Sequence, residues 1–299
     1  MMGMKFRAHD TFFIRKGWLS KGMRNVVANK DVFVTKDKDR NPMDVLGIGA
    51  NMVKALRYWL QAVGLTEEPT KGQRFQCLTE LGQIIFEQDP YIEETGTLWL
   101  LQYQLAKNKT DATAWYYFFN EFNMVEFTRE EFVQSLQNYI LMAQEQAAVR
   151  SLNDDFSCII STYVSRGKNS ATIVSPENNI DCPFGELGLI DVLRKTGNNF
   201  VYKKSIPAAE TINPWIALAV IYEQANGNTE ISLSNLLSAP CNIGRVFNLD
   251  SITMIEILHH AERTGLLRIV RTAGLDYIKL NEGYNFIDCV RQYYEEIVR

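Results

Sequence analysis

Apolar positions recur at helical spacing along most of the chain and at strand spacing only in short stretches. The clearest helical stretch covers residues 50–63, ANMVKALRYWLQAV. At ~100° per residue, Met52, Val53, Leu56, Trp59, Leu60 and Val63 share one arc, and Ala50, Asn51, Lys54, Arg57, Tyr58 and Gln61 share the opposite arc. Gly64 stands where a helix is expected to close. Gly47-Ile48-Gly49 separates this helix from a shorter one that begins at Pro42, so residues 42–65 read as the second and third helices of a helix-turn-helix. A first helix over 15–28, a polar loop over 35–42, a turn-rich segment over 66–75 and a short helix over 78–86 surround it. Helix, helix, recognition helix and wing within about 80 residues is the size and order of a winged-helix module.

Further on, Leu98, Leu101 and Leu105 repeat at helical spacing, as do Trp115, Phe118, Phe119 and Phe122. Thr128 with Glu131 three residues later predicts a capping box, and Phe132, Leu136, Ile140 and Ala143 continue one face. A short helix is expected over 153–165. Residues 165–181 lack periodicity and read as a loop or linker. Order returns over 182–193, followed by a strand over 198–205 and a helix over 214–224. Residues 231–280 repeat the opening arrangement. A short helix over 232–237 leads to a helix capped by Asp250 and closed by Gly265, and strands over 266–271 and 275–280 form a wing hairpin. A last helix spans 284–298. The expected fold is therefore α+β and mainly α, with winged helix-turn-helix modules at the N- and C-terminal ends and a helical middle. The expected units are an N-terminal winged-helix-like DNA-binding domain at 1–92, a helical middle at 93–165, a linker and mixed segment at 166–230, and a C-terminal winged-helix-like domain at 231–299.

Charge sharpens this picture. The 299 residues are 46% hydrophobic and 22% charged, an ordinary globular balance. The net charge of -4 is unevenly placed, with 12 Lys and Arg against 5 Asp and Glu in residues 1–60, and 19 against 30 in the rest. A basic front end on an acidic protein points to a local polyanion site. Chance fluctuation of surface charge is the bland alternative, and its coincidence with the helix-turn-helix weighs against it. The five cysteines are odd in number and lack CxxC spacing, which implies neither a zinc site nor a disulfide framework. No apolar run reaches the ~18 residues of a membrane span, and the start has no signal-peptide core. A cytoplasmic location without membrane attachment is expected.

Double-stranded DNA is the partner that the outward arc of residues 50–63 fits. Lys54 and Arg57 suit phosphate or guanine, Asn51 and Gln61 suit adenine, and Tyr58 adds a phenol. Arg15, Lys16 and Lys21 would hold phosphates. An ordinary amphipathic surface helix shows the same pattern. In the second module Arg245, His259, Arg263, Arg268 and Arg271 are possible polyanion contacts, though its balanced charge fits a protein partner equally. One local cluster holds the parts for phosphodiester cleavage. In it His9 is a candidate catalytic base and Asp10 a candidate metal ligand, with Arg15, Lys16 and Lys21 as clamps. Spacing alone rarely identifies a site, and buttressing of the first helix is the competing role for His9 and Asp10. Glu177, Asp181 and Glu186 form a second group of carboxylates. GxSxG and GxxxxGK[ST] are absent, and Met52 breaks a GxGxxG pattern begun by Gly47 and Gly49.

The segments FRAHDTFFIRKGWLSKG, DVLGIGANMVKALRYW, CPFGELGLI, APCNIGRVFNLD and TAGLDY, taken in order, resemble the successive motifs of a bacterial domain-of-unknown-function family. That family includes the SspB-type DNA nickase component of DNA phosphorothioation defence systems. The resemblance runs from Phe6 to Tyr277. It implies DNA handling during sulfur modification of the DNA backbone; it does not say that this member itself nicks DNA to allow sulfur insertion. Implied partners are sulfur-transfer enzymes related to phosphoadenosine-phosphosulfate reductase and cysteine desulfurase. Magnesium or manganese is the cofactor expected if the protein cleaves a phosphodiester, and none otherwise. No catalytic motif is carried over. A winged-helix transcriptional regulator and a non-catalytic assembly scaffold remain the alternatives.

Overall fold

The computed structural model describes residues 3–69, 75–164, 182–197, 199–272 and 275–298. The N-terminal third is built from α1 (Trp18–Ala28), α2 (Pro42–Leu46) and α3 (Ala50–Ala62), then β1 (Thr66–Glu67), β2 (Cys77–Leu78) and α4 (Glu80–Gln88). The Asn41 side chain accepts from Met43 N and caps α2, with Pro42 in the first turn, where its missing N–H costs nothing. Gly47, at φ 62°, ends α2 in the left-handed region and turns the chain into α3. α3 buries Val53, Ala55, Leu56, Trp59 and Leu60, as its apolar arc predicts, and packs on α1. α1 starts at Trp18 rather than at residue 15. Gly17 has φ 80°, outside helical space, so Arg15 and Lys16 precede the helix. In and just after the segment expected as a wing, β1 and β2 pair antiparallel through Thr66↔Leu78 and Glu67↔Cys77, and residues 70–74 lie outside the described residues.

α4 is pressed against the end of this unit. A Cβ at Gly82 would lie 2.0 Å from the Leu65 carbonyl oxygen, which is backbone. Gly82→Ala therefore forces the helix away, at an overpacking cost of roughly 1–3 kcal/mol. The check is the urea midpoint, which should fall, and an unchanged midpoint would mean that α4 shifts freely.

The middle contains α5 (Thr95–Lys107), α6 (Thr113–Asn120), β3 (Glu126–Phe127), α7 (Arg129–Met142), α8 (Val149–Tyr163), β4 (Ile190–Thr196) and β5 (Asn199–Lys204). Thr128 and Glu131 form the capping box at the start of α7. The aromatic run on α6 is core, with Trp115, Phe118 and Phe119 all buried. The three strands form one antiparallel sheet in the order β3-β5-β4. β4 was not expected from the sequence. The loop expected over 165–181 lies outside the described residues, as do Glu177 and Asp181.

The C-terminal part holds α9 (Pro214–Ala225), β6 (Glu230–Ser232), α10 (Leu233–Ser238), α11 (Ile243–Val246), α12 (Ser251–Glu262), β7 (Leu267–Thr272), β8 (Leu275–Leu280) and α13 (Phe286–Ile297). Asp250 caps α12 by accepting from Thr253 N. β6, β8 and β7 form an antiparallel sheet in that order, and β7 and β8 pair from Leu267↔Leu280 to Thr272↔Leu275.

The fold is thus a mixed α/β one, mainly helical, with small antiparallel sheets. Its buried hydrophobics form one cluster that runs from Ile14 to Tyr294. α13 packs on α9 and α4, and the Tyr294 hydroxyl lies 2.6 Å from that of Thr97. The C-terminus is thereby fastened to the middle and the N-terminal third. No helix among the described residues is long and apolar enough to cross a membrane.

Candidate nucleic-acid interface

The turn at Gly47 leaves one side of α3 outside the core. On that side Asn51 and Lys54 are exposed, and Arg57, Tyr58 and Gln61 are half-buried. Lys54, Arg57, Tyr58 and Gln61 line an open cavity of about 650 Å³ together with Lys5, Glu67 and Asp111. Arg57 is ion-paired with Glu68, which follows β1, and Lys5 is 2.5 Å from Asp111. Two of the three cations around the cavity therefore carry a carboxylate partner. Lys54 contacts only the Asn51 amide oxygen, at 3.5 Å, among the described residues. Tyr58 is turned towards the protein. Its hydroxyl donates to the Asp111 carbonyl at 3.0 Å, and burial pushes its ionisation well above the usual phenol range.

The second expected set of cations lies apart from this cavity. Arg15 and Lys16 border a separate shallow depression with Tyr91 and Pro183. The Arg15 guanidinium lies over the Phe12 and Trp18 rings at 6.0 and 5.3 Å, and Lys16 is exposed. Lys21 donates to the Leu46 carbonyl at 3.0 Å. It thus satisfies the C-terminal end of α2, a favourable place for a cation.

His9 and Asp10 are not brought together as a base and a metal ligand. His9 is fully buried, and both ring nitrogens are engaged. Nδ1 accepts from Thr11 N at 3.1 Å, so the ring proton sits on Nε2, which faces Asp155 Oδ1 at 2.7 Å. The ring stacks on Trp59 of α3, with centroids 5.9 Å apart, and meets Trp115 edge-on at 5.6 Å. Asp155 Oδ1 also accepts from Arg7 N at 2.8 Å, and Arg7 Nε lies 2.9 Å from Asp154. Burial raises the Asp155 carboxyl above its ordinary range, and the His9 contact opposes that shift. The chain reaches this geometry by placing Arg7, Asp10 and Thr11 at positive φ (57°, 49° and 69°), a conformation that is rare for residues with a Cβ. In this conformation neither nitrogen of His9 is open to a phosphate or a water. Sequence reasoning had no access to Asp155, which lies 146 residues away.

Among the described residues no three His, Cys, Asp or Glu side chains converge as a metal site. Magnesium usually takes one or two carboxylates and several waters. Of the carboxylates nearest the α3 face, Glu68 and Asp111 are held by Arg57 and Lys5, and Asp154 and Asp155 by Arg7 and His9, while Glu67 lines the cavity without an ion pair among the described residues. Around the cavity that leaves Glu67 without a second unpaired carboxylate beside it, which falls short of a built site for the ion. In the C-terminal part Arg263, Arg268 and Arg271 are exposed, and His259 faces Glu262 at 3.6 Å. Arg245 is drawn inward to Asn123 and the Ser238 carbonyl.

A mainly helical α/β chain with a cation-bearing helix after a glycine turn is the class that this fold defines. The chain belongs to the family described as protein of unknown function DUF4007, whose model matches residues 6–294. It is similar to a solved SspB crystal structure, with 27% identity and a TM-score of 0.82 over 98% of this chain and 88% of that one. A magnesium ion-bound SspB crystal structure gives 26% identity and the same TM-score and coverage. No curated protein matches significantly.

Proposed function

We propose that this protein is a DNA-contacting component of a bacterial system that places sulfur in the DNA backbone, and that the outward side of α3 is its main contact. The observation that carries the reading is the likeness to SspB along almost the whole chain, coupled to Lys54 and Asn51 standing exposed on a helix entered through a glycine turn. In this reading α1, α2, α3, β1 and β2 act as a winged-helix unit at one end. α10, α11, α12, β7 and β8 act as a second unit at the other. The division at residues 92, 165 and 230 then separates DNA contact, scaffold, connection and partner docking. Enzymes that carry sulfur are its working partners. His9 acts in this reading as an internal fastener of α3, and any strand cleavage uses other groups.

The test is fluorescence anisotropy with a labelled duplex, run beside supercoiled plasmid with magnesium, manganese or chelator. Duplex affinity should fall steeply with salt, with a log–log slope of about −0.9 per phosphate contacted. Absence of duplex binding at low salt would sink the reading and leave an assembly scaffold. Tight binding confined to one sequence, with the plasmid intact, would indicate a regulator instead. Metal-dependent open-circular product would add nicking to the DNA contact.

A further inference from the structure

A second cavity, larger than the one beside α3, lies elsewhere among the described residues. It has a volume of about 890 Å³ and lies where β5 meets the start of α12. Lys203 and Lys204 enter it from β5 and Arg245 from α11, and Val125 and Ile206 stand at its wall.

The electrostatics of this cavity are unbalanced. Lys204 Nζ donates to the Phe118 and Phe122 carbonyls at 2.5 and 2.6 Å, which leaves one of its three N–H groups over. Arg245 donates to the Asn123 amide oxygen at 2.7 Å and to the Ser238 carbonyl at 3.1 Å. All of these partners are neutral, and neither cation has a carboxylate ion-pair partner among the described residues. Burial, and then the nearby Arg245 charge, push the Lys204 ammonium down to about 7. Asp250 also lines the cavity as an ionised carboxylate that accepts from Thr253 N at 2.8 Å, one acid against the cations Lys203, Lys204 and Arg245. The Arg245 charge disfavours the charged form of Lys204, and an anion bound in the cavity that both line removes that cost.

The wall beside Lys204 is apolar and open, and there Lys204 N donates to the Val125 carbonyl at 2.8 Å. Val125 and Ile206 are 58% and 52% exposed, a large apolar surface to leave to solvent. An anionic head against Lys204 and Arg245 and a flat ring against Val125 and Ile206 would satisfy both parts. A volume of this size matches a drug-sized ligand. We propose that this cavity binds a nucleoside phosphate, its phosphate held by Lys204 and Arg245 and its base lying on Val125 and Ile206. The nucleotide is either free or part of a DNA strand, because the recognising chemistry is the same. The site does not depend on α3 being a DNA contact.

Calorimetry with thymidine 5′-monophosphate, thymidine and a short oligothymidylate tests this. The monophosphate or the oligomer should bind saturably, and thymidine at least tenfold more weakly. Saturable binding of the mononucleotide assigns a free ligand, and binding of the oligomer alone assigns a strand. Arg245→Met should reduce that binding at least tenfold while duplex binding at α3 persists. Because Arg245 also ties α11 to Asn123, the unsubstituted protein supplies a second readout. Lys204 should be acylated near neutral pH and protected by the bound phosphate compound, while the labelling of exposed Lys30, which does not line the cavity, stays unchanged. No saturable binding of either phosphate compound, or Lys204 labelling that ignores both, would overturn the proposal. So would unchanged affinity in folded Arg245→Met.

Discussion

His9→Ala is expected to lower stability by about 3–5 kcal/mol, the usual result of removing one partner of a buried pair. The substitution leaves Asp155 buried at 2% exposure with Arg7 N as its remaining hydrogen-bond donor, and it empties the space between Trp59 and Trp115. Against a total stability of about 5–15 kcal/mol this is a large fraction. For a domain of this size the melting temperature should fall by on the order of 10 °C. His9→Gln separates structure from chemistry. Glutamine places an N–H donor near the position of Nε2, so it should keep the Asp155 contact and recover much of the stability. Asp155→Asn keeps an acceptor for both Arg7 N and His9 Nε2 and should be milder than Asp155→Ala. Thermal melts of the four variants decide the matter. If His9→Ala melted like the parent yet abolished a nicking activity, His9 would belong to the chemistry and not to the framework.

The reason that His9 could be misread is physical. The sequence FRAHDTFF places a histidine, an acid and nearby cations together, which is also the inventory of a phosphodiester site. The partner that decides the role arrives from α8 through tertiary packing, and no local signal announces it. β4 escaped for a related reason. Val192 and Leu193 are both exposed, at 42% and 44%, so the strand lacks the alternation that marks a half-buried one. Its pairing with β5 is interrupted between Val192 and Arg194. Lys203 and Lys204 went unremarked because adjacent lysines on a short strand look like a solvated edge. Other features were legible because their causes are local. The apolar arc of α3, the Gly47 turn, the Thr128–Glu131 capping box, the Asp250 cap and the β7–β8 hairpin each depend on residues within a few positions of one another. The outward side of α3 was legible in its residue types but not in its charge balance. Glu68 and Asp111 reach it from just after β1 and from the connection between α5 and α6, and they neutralise Arg57 and the neighbouring Lys5.

That neutralisation leads to an expectation with two signs. Lys54→Glu combined with Arg57→Gln should weaken duplex binding by roughly tenfold for each cation that meets a phosphate, about 1.4 kcal/mol each. The salt slope should shrink by about one for each of those cations. Glutamine is the better replacement at Arg57, because a glutamate there would face Glu68 and add a repulsion unrelated to DNA. Glu68→Gln should act in the opposite direction. The Arg57–Glu68 pair is only about a quarter exposed, at 24% and 29%, so its carboxylate both neutralises the guanidinium and repels a phosphate approaching α3. Removing that charge should tighten duplex binding several-fold and steepen the salt dependence, with most of the gain in the association rate. Both variants should melt within a few degrees of the parent, since neither touches the buried arc of Val53, Leu56, Trp59 and Leu60. A Glu68→Gln protein that binds no tighter, beside a Lys54→Glu/Arg57→Gln protein that binds no weaker, would remove α3 as the DNA-facing helix. Weaker binding by the double variant without tighter binding by Glu68→Gln would keep Lys54 at the DNA. It would also mean that Arg57 stays within the protein, positioning the β1 segment instead of reaching a phosphate.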